Sequence, residues 1–320
     1  MPQSMRYLRF FTILLTFVFA SSLVATAQPT RERPRQGVRI VTLPITIFTK
    51  QELRDDQAAE FVQADKLTVR EAKDEQEILS IRSVSNTPLA LAVLVQDDLT
   101  GSFNLQLRDL ANFIRRLPRG TRVMVGYIRG GSLQTRQRFT DDLERAAKSL
   151  RIVSGVGGGG NGPYGGVADA LKRFDALPAG RRAILLVSDG VDTSSSSLPG
   201  SSSQSVDFDR AVNRAQRTGV VVHTIYTPTQ LTENTNSRLT LSGQGGLQRL
   251  SDETGGRAFF QGSMAPISFM PFFRDLDLLL SRQFALTYLS THMKKGYYKV
   301  DVTSSNPDIK IEHPKGYYYR

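Results

Sequence analysis

The chain has 320 residues, 40% of them hydrophobic, enough for one large domain or two modest ones with a sizeable core and too apolar for disorder throughout. It holds no Cys, which excludes a disulfide framework, a thiolate zinc site, an iron–sulfur cluster and a cysteine nucleophile, and its three His (His223, His292, His313) are too far apart in sequence for a helical zinc motif. The formal net charge is +11, yet the bases are scattered, with short clusters at Arg31 to Arg35, Arg115-Arg116 and Arg181-Arg182 and no aromatic-interleaved basic stripe, so no nucleic-acid partner is expected.

Residues 1–27 read as a signal peptide: Arg6 and Arg9 lead, Phe10 to Val24 is an apolar run, and Ala25-Thr26-Ala27 has the small-x-small pattern of a cleavage site. The run is shorter than the roughly 20 residues a spanning helix needs, so export to the periplasm or medium is expected, with no stable membrane span. Residues 28–37 are polar and Pro-containing, a flexible leader. Strand patterns fill the N-terminal β segment, 38–85: Val38 to Leu43, Ile45 to Phe48, Leu67 to Val69 and Ile78 to Ile81.

From 86 to 283 the pattern alternates. Leu89 to Val95 is a continuous apolar run, as in a strand covered on both faces, and Leu107, Leu110, Ala111, Ile114 and Leu117 follow at helical spacing. Val123 to Ile128, Ala183 to Val187 and Val220 to Ile225 are further strands, with an edge strand at Leu133 to Phe139 and a last short one at Ala258 to Phe260. Helices are expected around Leu143 to Leu150, Val167 to Leu177, Phe208 to Ala215, Leu247 to Thr254 and Phe269 to Arg282. This alternation predicts an α/β fold with a doubly wound, mostly parallel sheet. Strand character returns in the C-terminal segment, 284–320, which is expected to pair with 38–85 into a small β domain.

In such a sheet, ligands bind beyond the carboxyl ends of the strands. The first strand ends in Asp97-Asp98-Leu99-Thr100-Gly101-Ser102 and the central one in Ser188-Asp189-Gly190-Val191-Asp192. Two carboxylates from separate strand ends, with hydroxyls at alternate positions after the first, are hard oxygen donors suited to magnesium or calcium. The same Asp98, Thr100 and Ser102 can also simply cap the helix that follows. The Gly155 to Gly162 loop lacks the Gly-Lys-Ser/Thr ending of a phosphate-binding loop and reads as a flexible rim, and the Ser-rich run Ser194 to Ser205 as a mobile recognition loop or a linker.

On these residues the sequence resembles a von Willebrand factor type A (VWA) domain, whose metal-ion-dependent adhesion motif is Asp-x-Ser-x-Ser, a Thr from a second loop and an Asp from a third. Asp98-x-Thr100-x-Ser102 and Asp189 match its first and third parts, and Leu250 to Phe259 resembles the family's last helix and strand. The flanks resemble the acidobacterial VWFA-related family of exported proteins. The resemblance implies Mg²⁺ (or Mn²⁺ or Ca²⁺) held by Asp98, Thr100, Ser102 and Asp189, and a protein ligand bound through an acidic side chain, with no catalysis. One position departs: Gly165 stands where the Thr is expected, a few residues before Asp169-Ala170-Leu171, so a Thr there is expected to strengthen ion binding, and Tyr164, Asn161 or Asp97 could supply the missing oxygen. A scaffold without metal is the alternative, and a metal-assisted hydrolase using Asp98 and Asp189, which would lack an adjacent base, a more distant one.

Overall fold

Three strands precede the α/β part: β1 (Arg39–Thr49), β2 (Leu67–Glu71) and β3 (Asp74–Ser83). They belong to a computed structural model that describes residues 37–49, 67–84, 87–155, 162–178, 180–193, 205–233 and 237–319. The leader sequence, Asn161 and most of the Gly-rich and Ser-rich runs lie outside the described residues. β1 is one strand, where the sequence suggested two runs around Pro44. At Pro44 only β10 (Gln283–Ser290) pairs with it, so the missing amide N–H costs at most one ladder bond beside an open edge. β2 and β3 form a tight hairpin whose two central residues, Ala72 and Lys73, both take positive φ (51° and 82°) without the usual Asn-Gly signature.

The second sheet starts with β4 (Leu89–Gln96), buried along its whole length, and adds β5 (Arg122–Arg129), β6 (Ser132–Thr140), β7 (Arg181–Ser188), β8 (Val221–Tyr226) and β9 (Ala258–Phe259). Its six strands lie in the order β6-β5-β4-β7-β8-β9, all parallel except β6 at the edge. Leu89, Leu91, Val93 and Val95 face one layer of helices, α1 (Leu107–Arg116), α2 (Leu143–Lys148) and α7 (Met270–Ser281), where Phe113 stacks on Phe273 at 4.7 Å. Ala90, Ala92 and Leu94 face the other layer, α3 (Tyr164–Leu171), α4 (Val206–Thr218) and α6 (Ser237–Thr254). Each large side chain buried in these layers contributes about 1.5–3 kcal/mol, which is why the strands read as unbroken apolar runs. A single-turn helix, α5 (Gln230–Glu233), precedes α6. Two helices begin where local chemistry directs: Asp142 accepts from the Arg145 N–H at 2.9 Å to start α2, and Ser205 accepts from the Phe208 N–H at 3.2 Å to start α4.

The chain winds outward from β4 through β5 and β6 on one side and through β7, β8 and β9 on the other. The switch point therefore falls between β4 and β7, where Asp98 and Asp189 leave the sheet. α6 is longer than the short helix expected at Leu247 to Thr254; Gly243, Gly245 and Gly246 sit inside it against their propensity, which hid its first half from a sequence reading.

After α7 come β10, β11 (Gly296–Ser304), β12 (Ile309–Glu312) and β13 (Gly316–Tyr319). They lie with β1–β3 in a seven-stranded sheet of order β12-β1-β10-β3-β2-β11-β13. Val41, Leu43, Ile45, Val69, Leu286, Val300 and Val302 form its core. Arg257 joins the two sheets: its Nε lies 2.8 Å from a Glu312 oxygen and its guanidinium 4.9 Å from the Phe48 ring. No helix among the described residues is long and apolar enough to cross a membrane.

Candidate functional site

Past the end of β4 the two acidic residues separate. Asp97 turns into the protein and forms an ion pair with Arg151, 2.8 Å from Nη1, while the Arg151 guanidinium lies 4.2 Å from the centre of the Tyr127 ring. Asp97 is thus committed to Arg151 and is not the extra ligand that the sequence allowed. Asp98 is half-buried at the mouth of the crevice. Thr100 opens a 3-10 turn, Gly101–Gln106, without capping it through its side chain; its Oγ1 instead lies 2.7 Å from Ser102 Oγ. The capping role considered from the sequence is therefore not the one Thr100 plays.

Asp189 follows β7 and is fully buried. Its N–H donates to Gln96 Oε1 at 3.2 Å, Oδ1 accepts from the Val191 N–H at 3.0 Å, and Oδ2 accepts from the Thr229 hydroxyl at 2.7 Å. Burial pushes its pKa up to about 6 and the nearby charge of Asp98 pushes the same way, against the hydrogen bonds from Thr229, Val191 and Gln96. Among the described residues no Lys or Arg pairs with it.

Thr229 is the residue that sequence reasoning missed. It follows β8, and the Thr100 N–H donates to the Pro228 carbonyl at 3.0 Å while Leu99 bridges to Thr229, so this loop ties the Asp98 loop to Asp189. The rule that points to the ends of β4 and β7 points equally to the end of β8. Gly190 and Gly243 were missed as well. Gly190 has φ of +71°, and a Cβ on Gly243 would lie 2.1 Å from the Asp189 carbonyl oxygen, so only glycine lets α6 lie directly on the Asp189 backbone.

The second-loop expectation needs correction. A Cβ at Gly165 would meet the Gly131 carbonyl oxygen at 2.6 Å, because the β5–β6 turn packs against the start of α3. A Thr there collides with backbone, so the expectation that Gly165→Thr would strengthen ion binding is withdrawn. Tyr164 does not supply the oxygen either: its hydroxyl is buried and donates to the Gly190 carbonyl at 2.8 Å. His223, inside β8, accepts from the Arg257 N–H at 3.1 Å and is pushed down to about 3 by burial and then by the Arg257 charge, which makes it a neutral core residue.

The candidate oxygens are those of Asp98, Thr100 and Ser102 on one loop and of Asp189, which is tied to that loop through Thr229. The Thr100–Ser102 separation is close to the ~2.9 Å between neighbouring oxygens of an octahedral shell with 2.0–2.1 Å bonds. No cluster of three or more His, Asp or Glu side chains suited to a metal occurs among the described residues, so an ion at this place would depend on hydroxyl oxygens. The set fits a hard divalent cation in chemistry, with fewer carboxylates than a strong all-protein site uses.

No protein-family model and no curated protein matches the chain. Its solved structural neighbours include BatB from Bacteroides thetaiotaomicron, 14% identical over 60% of this chain and 96% of that one, with a TM-score of 0.42. An aerotolerance-related membrane protein from Bacteroides fragilis is 13% identical over 60% of this chain and 98% of that one, TM-score 0.42. A von Willebrand factor type A protein from Catenulispora acidiphila is 9% identical over 81% of this chain and 75% of that one, TM-score 0.40. The neighbours thus include VWA domains, the family that the sequence resembles.

Proposed function

We propose that this chain is an exported, non-catalytic VWA-type binding module that takes an acidic side chain of a protein partner at the crevice between β4 and β7. The observation that supports this reading is the pair of Thr100 and Ser102 hydroxyls, 2.7 Å apart, on a loop that the Pro228–Thr229 segment ties to Asp189. Asp98, Thr100, Ser102 and Asp189 would hold Mg²⁺, or Mn²⁺ or Ca²⁺ in its place. A bound ion supplies positive charge and a coordination position for a carboxylate. The chain's own part is to present the hydroxyls, to fix Asp189 through Thr229, Val191 and Gln96, and to exclude water behind it. No nucleic-acid partner belongs to this reading. The antiparallel sheet would act as a small β domain that carries the α/β part, and truncation at Gln283 is expected to unfold residues 38–83; a truncated chain in which they stay folded contradicts that arrangement.

The test is the melting temperature of the chain from Gln28 onward in EDTA and in millimolar Mg²⁺, Mn²⁺ or Ca²⁺. An ion that binds only the folded state at 100 times its dissociation constant adds about 2.7 kcal/mol. The expected result is a rise in Tm that Asp98→Ala abolishes. No rise with any ion favours a metal-free scaffold.

A further inference from the structure

Among the described residues of the α/β part, large apolar side chains are exposed at one end. Leu105, Ile152, Leu231, Leu241, Met264 and Ile267 are all exposed, Ile267 by 87% and Leu105 by 79%. The remaining exposed ones of this part, Val206 and Met270, begin α4 and α7 at the same end, and among the described residues all others lie in the strands of the antiparallel sheet or next to them. Scattered exposed apolar residues need no explanation, but a set confined to one rim does.

Hydrogen bonds link these positions to the candidate site. The turn after Thr100 carries Leu105; its Asn104 Oδ1 accepts from the Val153 N–H at 2.9 Å, which places Ile152 alongside. Gln106 Nε2 donates to the Ile267 carbonyl at 3.0 Å and its Oε1 accepts from the Phe269 N–H at 3.1 Å, which pins the segment bearing Met264 and Ile267 to the same turn. On the other side, Thr100 N–H holds Pro228, Thr232 follows with Leu231 beside it, and the Thr240 hydroxyl donates to the Thr232 carbonyl at 3.3 Å, which brings in Leu241. The apolar positions therefore flank the Asp98–Ser102 loop on both sides.

We propose that these six side chains form the contact rim of a docking surface whose occupant is a partner-protein segment bearing an acidic residue flanked by aliphatic or aromatic ones. This rests on the reading of the central oxygen set as the seat of an acidic side chain. The rim asks for apolar neighbours around that carboxylate, and a chain of net charge +11 attracts an acidic partner and repels a second copy of itself. The chain's own leader does not fit, since residues 28–37 carry three Arg against one Glu.

A short random-peptide display library selected on the chain in Mg²⁺ tests this. The expected yield is peptides with Asp or Glu beside Leu, Ile, Val or Phe, whose binding falls about tenfold or more with Leu105→Ser/Ile267→Ser and equally with Asp98→Ala. Both rim positions are exposed, so the double variant should keep the wild-type Tm, which is checked alongside. Acidic peptides that respond to Asp98→Ala but not to the rim variant overturn the rim and leave the central reading standing. Peptides that respond to the rim variant but not to Asp98→Ala overturn the central reading and, with it, the acidic occupant. Recovery of no peptide overturns the proposal, as does rim-dependent sedimentation with phosphatidylserine vesicles, which would make the occupant a membrane.

Discussion

Two buried carboxylates, Glu71 in the antiparallel sheet and Asp189 at the end of a parallel strand, are treated in opposite ways. Glu71, in the antiparallel sheet, accepts from the Tyr288 and Ser290 hydroxyls, each at 2.8 Å, and pairs with Arg39 at 3.2 Å; the Arg39 guanidinium is itself stacked 4.1 Å from the Tyr319 ring. Its charge is answered within the chain. Asp189, in the parallel sheet, receives only hydrogen bonds and has a second carboxylate, Asp98, for a neighbour. A buried charge matched from within is a structural device, whereas one matched only by dipoles leaves free energy for an outside cation to recover.

That contrast breaks first at Glu71. Glu71→Ala leaves Arg39, with its side chain only 12% exposed, without its counter-charge, and is expected to cost about 3–5 kcal/mol in urea unfolding with no effect on any ion response. A loss below about 1 kcal/mol would mean the aromatic ring contacts alone sustain Arg39.

The pH dependence of the ion-free protein sharpens it. Asp189 has its folded pKa raised from 3.8 to about 6, so its ionised form is disfavoured in the fold. Stability from this group is complete below pH 3.8 and is lost as the pH rises through about 6, on the order of 2–3 kcal/mol. Asp189→Asn is expected to remove that loss, melting above the wild type at pH 8 in EDTA, and to respond to no ion. Millimolar Mg²⁺ should flatten the wild-type curve in the same range; a curve unchanged by both Mg²⁺ and the substitution contradicts the assignment of Asp189.

The smallest expected effect comes from the helix that rests on Asp189. Gly243→Ala forces a methyl against the Asp189 carbonyl oxygen and should cost about 1–3 kcal/mol by thermal unfolding while weakening the ion response. Gly245→Ala, where a Cβ meets nothing within 4 Å, is the control and should be neutral or slightly stabilising.

Much of the molecule was legible in the chain. The apolar run Leu89 to Val95 predicted a strand covered on both faces, since full burial leaves no polar alternation, and the helical spacing of Leu107 to Leu117 placed α1 after it. The acidic strand ends marked Asp98 and Asp189, because the end of a buried strand is where a polar residue first meets solvent. Less legible were the full length of α6, whose glycines argue against a helix, the strand β13, and the hairpin turn at Ala72-Lys73, which carries no glycine.

What the sequence determined by itself is periodic or local: alternation of strand and helix, and which residues carry oxygen donors. What the tertiary structure decided depends on approach between distant segments. It gave Asp97 to Arg151, turned Tyr164 onto Gly190, closed position 165 against Gly131 and brought Thr229 to Asp189. None of these follows from spacing, because each partner lies 26 to 54 residues away and the choice among reachable partners is made by backbone packing at distances where a single Cβ is too much.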